Sequence, residues 1–170
     1  MKVAMLLMLA LPLVTVSANA GESFSITGAK RGFLGNGIHG NFLPVNDAFR
    51  ASAWRDDERV YVGFINAEDY YLHRHQFALD SRDPGVSFGE LALPPGEPMV
   101  HASLGEIHVF YDQVVFSAPI EAAKADTKPL AITVTFQGCS DRGLCYPPEQ
   151  IELEAFYGSP PGAFAISPAS

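Results

Sequence analysis

The sequence predicts an all-β domain, an antiparallel sandwich or barrel, on three observations. Apolar and polar residues alternate at every second position in several short runs, turn-forming clusters such as Asp83-Pro84-Gly85 and Pro94-Pro95-Gly96 punctuate them, and long amphipathic helices are absent. A helix buries one side every 3.6 residues and a strand every second residue, so the alternation itself carries the assignment.

The chain opens with MKVAMLLMLALPLVTVSANA. Lys2 supplies a positive n-region, Ala4 to Val16 an apolar stretch, and Ala18-Asn19-Ala20 a small-x-small cleavage signal, which together predict a signal peptide over residues 1–20. The stretch is too short and wrongly flanked for a membrane span, and no later segment approaches the roughly 20 apolar residues that a span needs. The expected product is exported and not inserted in a membrane, and a bacterial periplasm fits it. Residues 21–157 are expected to form one domain, since a mature chain of about 150 residues can bury its own core. Gly28 to Gly40 is glycine-rich and irregular, and residues 158–170, GSPPGAFAISPAS, resemble a flexible tail or linker with no packing pattern.

Within the domain the expected strands follow in order. AFRASAW and RVYVGFI flank the polar turn Arg55 to Glu58, and YYLHRHQFAL, GVSFGELAL, EIHVFYD and QVVFSAPI come next. LAITVTF then places Leu130, Ile132, Val134 and Phe136 on one face, with Ala131, Thr133 and Thr135 on the other. IELEAF repeats the alternation after Pro148, so the two runs form a hairpin whose connection carries both cysteines of the chain.

Several functions are disfavoured by composition. The formal net charge is −8 and no block of Lys or Arg gathers, which argues against a nucleic-acid or anionic-membrane partner. There is no H-E-x-x-H and no glycine-rich phosphate loop between a strand and a helix. The scattered carboxylates, such as Asp56, Asp57 and Glu58, read as solvated turns.

The chemistry rests on Cys139 and Cys145. A bridge between them would close a small loop, which in the chain-entropy account stabilises by only about 2 kcal/mol before strain. Zinc ligands come at shorter spacings with a second close pair, and only His73 and His75 could complete such a set, so no metal site is expected. These two histidines are expected on one strand face with Tyr71, where packing is the plain explanation; His39, His101 and His108 add no spacing signal. A loop at a sheet end would present an accessible sulfur for exchange, with Arg142 favouring a thiolate and Asp141 opposing it. From the residues alone, a structural staple and an exchange pair both remain open.

VTFQGCSDRGLCYPPEQIEL, residues 134–153, closely resembles the cysteine segment of the N-terminal periplasmic domain of the thiol-disulfide interchange protein DsbD, in which a strand, Gln-Gly-Cys, five residues and Cys-Tyr-Pro-Pro-Glu follow in that order. FLPVNDAFRASAW and DYYLHRHQFAL resemble the family's first strands, and the resemblance spans Phe42 to Glu154. It implies an immunoglobulin-like β-sandwich with a redox-active pair and no bound cofactor. It further implies electron flow from a membrane-embedded donor, through a thioredoxin-like domain, to periplasmic thioredoxin-like proteins: a disulfide isomerase and a cytochrome c maturation thioredoxin. By motif position Cys145 would form mixed disulfides and Cys139 resolve them. Tyr71 matches a tyrosine beside the pair, and His73 stands where the family more often has a second tyrosine.

Two departures accompany the resemblance. The family shields its cysteines with a Phe-containing loop, whereas VHASLGEIHVFYD offers Ser103 and Leu104, leaving Leu104 as a smaller cap or the pair less protected. The sequence also carries neither the membrane domain nor the thioredoxin-like domain, as a stand-alone module or a piece of a longer protein would. The competing function is a β-sandwich binding or adaptor module with a purely structural disulfide.

Overall fold

The computed structural model describes residues 42–121 and 128–165; the expected signal peptide over residues 1–20, Gly28 to Gly40 and the last residues of the expected tail lie outside them. A single-turn helix α1 (Val45–Ala48) leads into β1 (Phe49–Arg55) and β2 (Arg59–Asn66). There follow β3 (Tyr70–His73), β4 (Ala78–Ser81), β5 (Ser87–Phe88), β6 (Glu97–His101), β7 (Gly105–Phe110), β8 (Gln113–Glu121), β9 (Leu130–Phe136), β10 (Gly138–Ser140) and β11 (Glu149–Tyr157). They make two sheets, of order β4-β9-β11-β1-β2-β8-β5 and β10-β3-β7-β6.

The core lies between the sheets. Phe49, Val62, Phe64, Phe116, Ile132, Val134 and Phe136 from the larger sheet meet Tyr70, Leu72 and Phe110 from the smaller one in a single buried cluster. Strand β9 realises the expected alternation, with Leu130, Ile132, Val134 and Phe136 buried, and pairs antiparallel with β11 from Phe136↔Glu149 to Leu130↔Ala155. Burial on one face holds this register, because a slip of one residue would turn every apolar side chain outward.

Four expectations are corrected. YYLHRHQFAL is not one strand: β3 belongs to the smaller sheet and β4 to the larger, and the 3-10 turn Arg74–Gln76 carries the chain across. GVSFGELAL forms only the two-residue β5 and a bridge from Ala92 to Ser117. The sandwich is not wholly antiparallel, since β1 pairs parallel with β11 at Trp54↔Phe156 and Arg55↔Tyr157.

The fourth correction concerns the tail expected over residues 158–170. Phe164, in the short turn Gly162–Phe164, is only 8% exposed and its ring stacks on Trp54 at 5.4 Å. Gly63 makes the room, because a Cβ there would fall 2.5 Å from the Phe164 ring. An aromatic ring facing a vacant surface on the sheet outweighs the flexible composition around it.

Candidate redox site

The two cysteines sit where the chain leaves one sheet for the other. After Phe136 ends β9, residues Gly138–Ser140 pair antiparallel with β3, placing Cys139 opposite Tyr71. The His73 amide donates to the Gln137 carbonyl at 3.0 Å and extends this short ladder. Gly138 is required by packing: a Cβ there would stand 2.2 Å from the Phe49 ring. Core filling by Phe49 therefore fixes the residue before the first cysteine.

The segment from Cys139 to Cys145 then folds back on itself. The Gly143 amide donates to Ser140 O at 2.9 Å, the Ser140 amide to Leu144 O at 2.7 Å, and the Tyr146 amide to Gly138 O at 3.0 Å. Gly143 supplies the left-handed backbone the turn needs, with φ of +95°. This brings the two Cα atoms to 4.0 Å, and the sulfurs are bonded. Beyond the pair, Tyr146 packs edge-on against Phe49 at 5.7 Å and its hydroxyl donates to the Leu43 carbonyl.

Strand alternation divides the side chains of β3. Tyr70 and Leu72 enter the main core, whereas Tyr71 packs in a second cluster with Cys139, Ile107 and Val109. The His73 ring lies 5.5 Å from that of Tyr71, on the same side. The pair is strongly asymmetric: Cys139 is 0% exposed, and Cys145 is exposed.

His73 is the polar group in direct contact with the buried sulfur. It is 2% exposed, and its Nε2 lies 3.1 Å from Cys139 Sγ. Burial, then the neighbouring His75 and His101, pushes its pKa down to about 4, so the ring is neutral at neutral pH. Its Nδ1 has no protein hydrogen-bond partner. The rings of His75 and His101 stand edge-on to it at 5.5 and 5.9 Å.

The charged residues of the loop are engaged away from the sulfurs. The Tyr111 hydroxyl donates to Asp141 Oδ1 at 2.8 Å, and burial together with this bond raises the phenol pKa. Burial and the Asp141 charge also raise that of Tyr71. The Arg142 guanidinium lies over the Phe42 ring at 5.1 Å.

Of the residues singled out in the sequence, the structure brings Tyr71, His73, Cys139 and Cys145 together. His75 is on the 3-10 turn rather than the strand, although its ring still reaches His73. Leu104, at the β6–β7 tip, is 55% exposed. Sequence reasoning set His101 aside for want of a spacing signal and missed Tyr111; their placement comes from strand pairing, since β7 bridges β3 at His73↔Val109 and β6 bridges β7 at His101↔Gly105.

The arrangement defines a direction of approach. Cys145 is the exposed member of the bonded pair and Cys139 the buried one, so the open side of the disulfide is that of Cys145. Among the described residues no helix is long and apolar enough to cross a membrane.

Comparison with known proteins agrees with this geometry. A family model described as "Thiol:disulfide interchange protein DsbD, N-terminal" matches residues 39–156. Thiol:disulfide interchange protein DsbD 1 of Pseudomonas aeruginosa is 41% identical over 85% of this chain and 24% of that protein. DsbD of Ralstonia nicotianae is 34% identical over 72% of this chain and 21% of its own length. This chain therefore spans about a quarter of the curated relatives it matches.

Among solved structures, the reduced DsbD N-terminal domain of Neisseria meningitidis superposes with a TM-score of 0.61 at 26% identity, covering 71% of this chain and 94% of that one. The complex between the DsbD and PilB N-terminal domains of the same organism gives 0.54 at 25% identity, covering 67% and 87%. The matched residues contain both cysteines and strands of both sheets of the immunoglobulin-like sandwich, and the chain belongs to the family of DsbD N-terminal domains.

Proposed function

We propose that this domain is a periplasmic protein-disulfide reductase module that carries two electrons in the reversible Cys139–Cys145 disulfide. The observation that carries the reading is the exposure asymmetry, since exchange needs one sulfur that a partner can reach and a second held behind it. In the reduced domain the Cys145 thiolate attacks a partner disulfide, forming a mixed disulfide and releasing one partner thiolate. Cys139 then attacks Cys145 Sγ, closing the internal bond and releasing the partner as a dithiol. Recharging runs the same steps backwards, with a donor dithiol attacking Cys145.

His73 supports the resolving step by position. Its Nε2 is within hydrogen-bonding reach of Cys139 Sγ, so the neutral ring can accept a hydrogen bond from that thiol and orient it toward Cys145. Tyr71, across the ladder from Cys139, packs beside it.

The partners proposed are thioredoxin-like proteins, among them a disulfide isomerase and a cytochrome c maturation thioredoxin, with a membrane-embedded donor upstream. The solved complex of a related DsbD N-terminal domain with the PilB N-terminal domain supports recognition of a separate protein domain. A Cys139→Ala variant tests the scheme: incubated with an oxidised thioredoxin-like protein, it should accumulate a mixed disulfide through Cys145 that the wild type resolves. No trapped species, together with a potential below about −300 mV, would assign the bond a structural role.

A further inference from the structure

Opened by reduction, the same side chains form a ligand set for an ion. We propose that the dithiol form of this domain binds a soft or borderline d10 cation, Cu(I) or Zn(II), through Cys139 Sγ, Cys145 Sγ and His73 Nε2, and that the bound ion withholds the pair from exchange. The inference rests on the reading that the disulfide opens reversibly.

The three ligand atoms lie within 4.8 Å of one another, and Nε2 is already 3.1 Å from Cys139 Sγ. Ligands around tetrahedral zinc stand about 3.5–3.8 Å apart, given bonds near 2.1 and 2.3 Å, so side-chain rotation alone can reach that geometry. Two thiolates and an imidazole, with no carboxylate among them, select copper and zinc over calcium, magnesium or manganese. The His73 ring is buried with Nδ1 lacking a protein partner, while its Nε2 faces the Cys139 sulfur and so is aimed at the pair.

The steps balance. A partner dithiol gives two electrons and two protons to the disulfide, yielding two thiols and a partner disulfide. The cation then displaces both thiol protons to solvent and binds two thiolates and the Nε2 lone pair. Three protein ligands leave a fourth position for water, as in accessible rather than structural zinc sites. In the disulfide form no thiolate exists, and the ion is released on oxidation.

The test uses the domain reduced with dithiothreitol, freed of reductant under nitrogen and titrated for thiols. Zn(II) is then added against a chromophoric chelator and Cu(I) against bicinchoninate, which separates the two ions. Expected are one ion per reduced chain, none per oxidised chain, and tetrahedral thiolate charge-transfer bands with Co(II). The thiols should also react more slowly with a disulfide reagent until chelator is added. His73→Phe should bind at least about ten-fold more weakly. Should that variant fold poorly, Zn(II) should move the His73 Nε2 resonance in long-range nitrogen spectra of the wild type. Two titratable thiols with no ion bound, or a folded His73→Phe variant binding as tightly as wild type, overturn the site alone. A chain that yields no thiols overturns the exchange reading as well.

Discussion

Gly138 lacks a side chain because the Phe49 ring fills the space where one would project. A Gly138→Ala substitution must push apart β10 and the ring, and overpacking of a filled core costs about 1–3 kcal/mol. Chemical denaturation should register that loss, and the thiol–disulfide potential should move with it, because the displaced residue is bonded directly to Cys139. The same scale exposes what the sequence conceals. Cys139 and Cys145 were legible from their flanks, and Tyr71 and His73 from their place in the resembling strand. His101 and Tyr111 were not, because each reaches the site through a partner strand or loop and nothing in their own neighbourhoods signals it. Leu104, one of the two alternatives the sequence offered for shielding the pair, is 55% exposed.

At the level of elements, strands with one buried face were readable and strands made by their neighbours were not. LAITVTF carries its own alternation, so β9 was evident. EPMVH has a proline and no alternation, and β6 exists through its pairing with β7. YYLHRHQFAL kept a strand-like composition across a change of sheet, which period-two reasoning cannot detect. The β1–β2 turn depends on Asp56, whose Oδ1 accepts from the amides of Glu58 and Arg59 at 2.8 and 2.7 Å and whose Oδ2 accepts from the Tyr61 hydroxyl at 2.8 Å. Burial pushes this carboxyl up, but those donors and the Arg59 charge together hold it below its ordinary value. A group lowered in the folded state stabilises above its unfolded pKa and loses that contribution as pH falls through the folded one. Asp56→Ala should therefore lower stability by about 1 kcal/mol at pH 7, and the difference from wild type should shrink in acid. Thermal unfolding across pH measures both.

For the whole molecule, the boundary of the folded unit lies beyond the alternating pattern. Trp54 stacks with Tyr61 at 5.7 Å and with Phe164 at 5.4 Å, so residues past Tyr157 belong to the packed body. Phe164→Ala should destabilise by on the order of 3 kcal/mol, and ending the chain at Tyr157 should cost a similar amount. Urea denaturation of both variants would check this; no loss from either would return the segment to the status of a free tail. The sequence hid the contact because one aromatic ring among Gly, Ser and Pro has no periodicity to report.

The redox hairpin is closed twice, once by sulfur and once by backbone amides. The Ser140–Leu144 and Tyr146–Gly138 hydrogen bonds and the pairing of β10 with β3 do not depend on the S–S bond. Gaining two electrons should then ask the protein for little more than two rotated side chains. Amide spectra of the oxidised and reduced domains should differ near residues 137–147 and coincide across β1, β2 and β8. Low reorganisation lowers the barrier to oxidation and to reduction alike, which would serve both halves of the proposed exchange cycle.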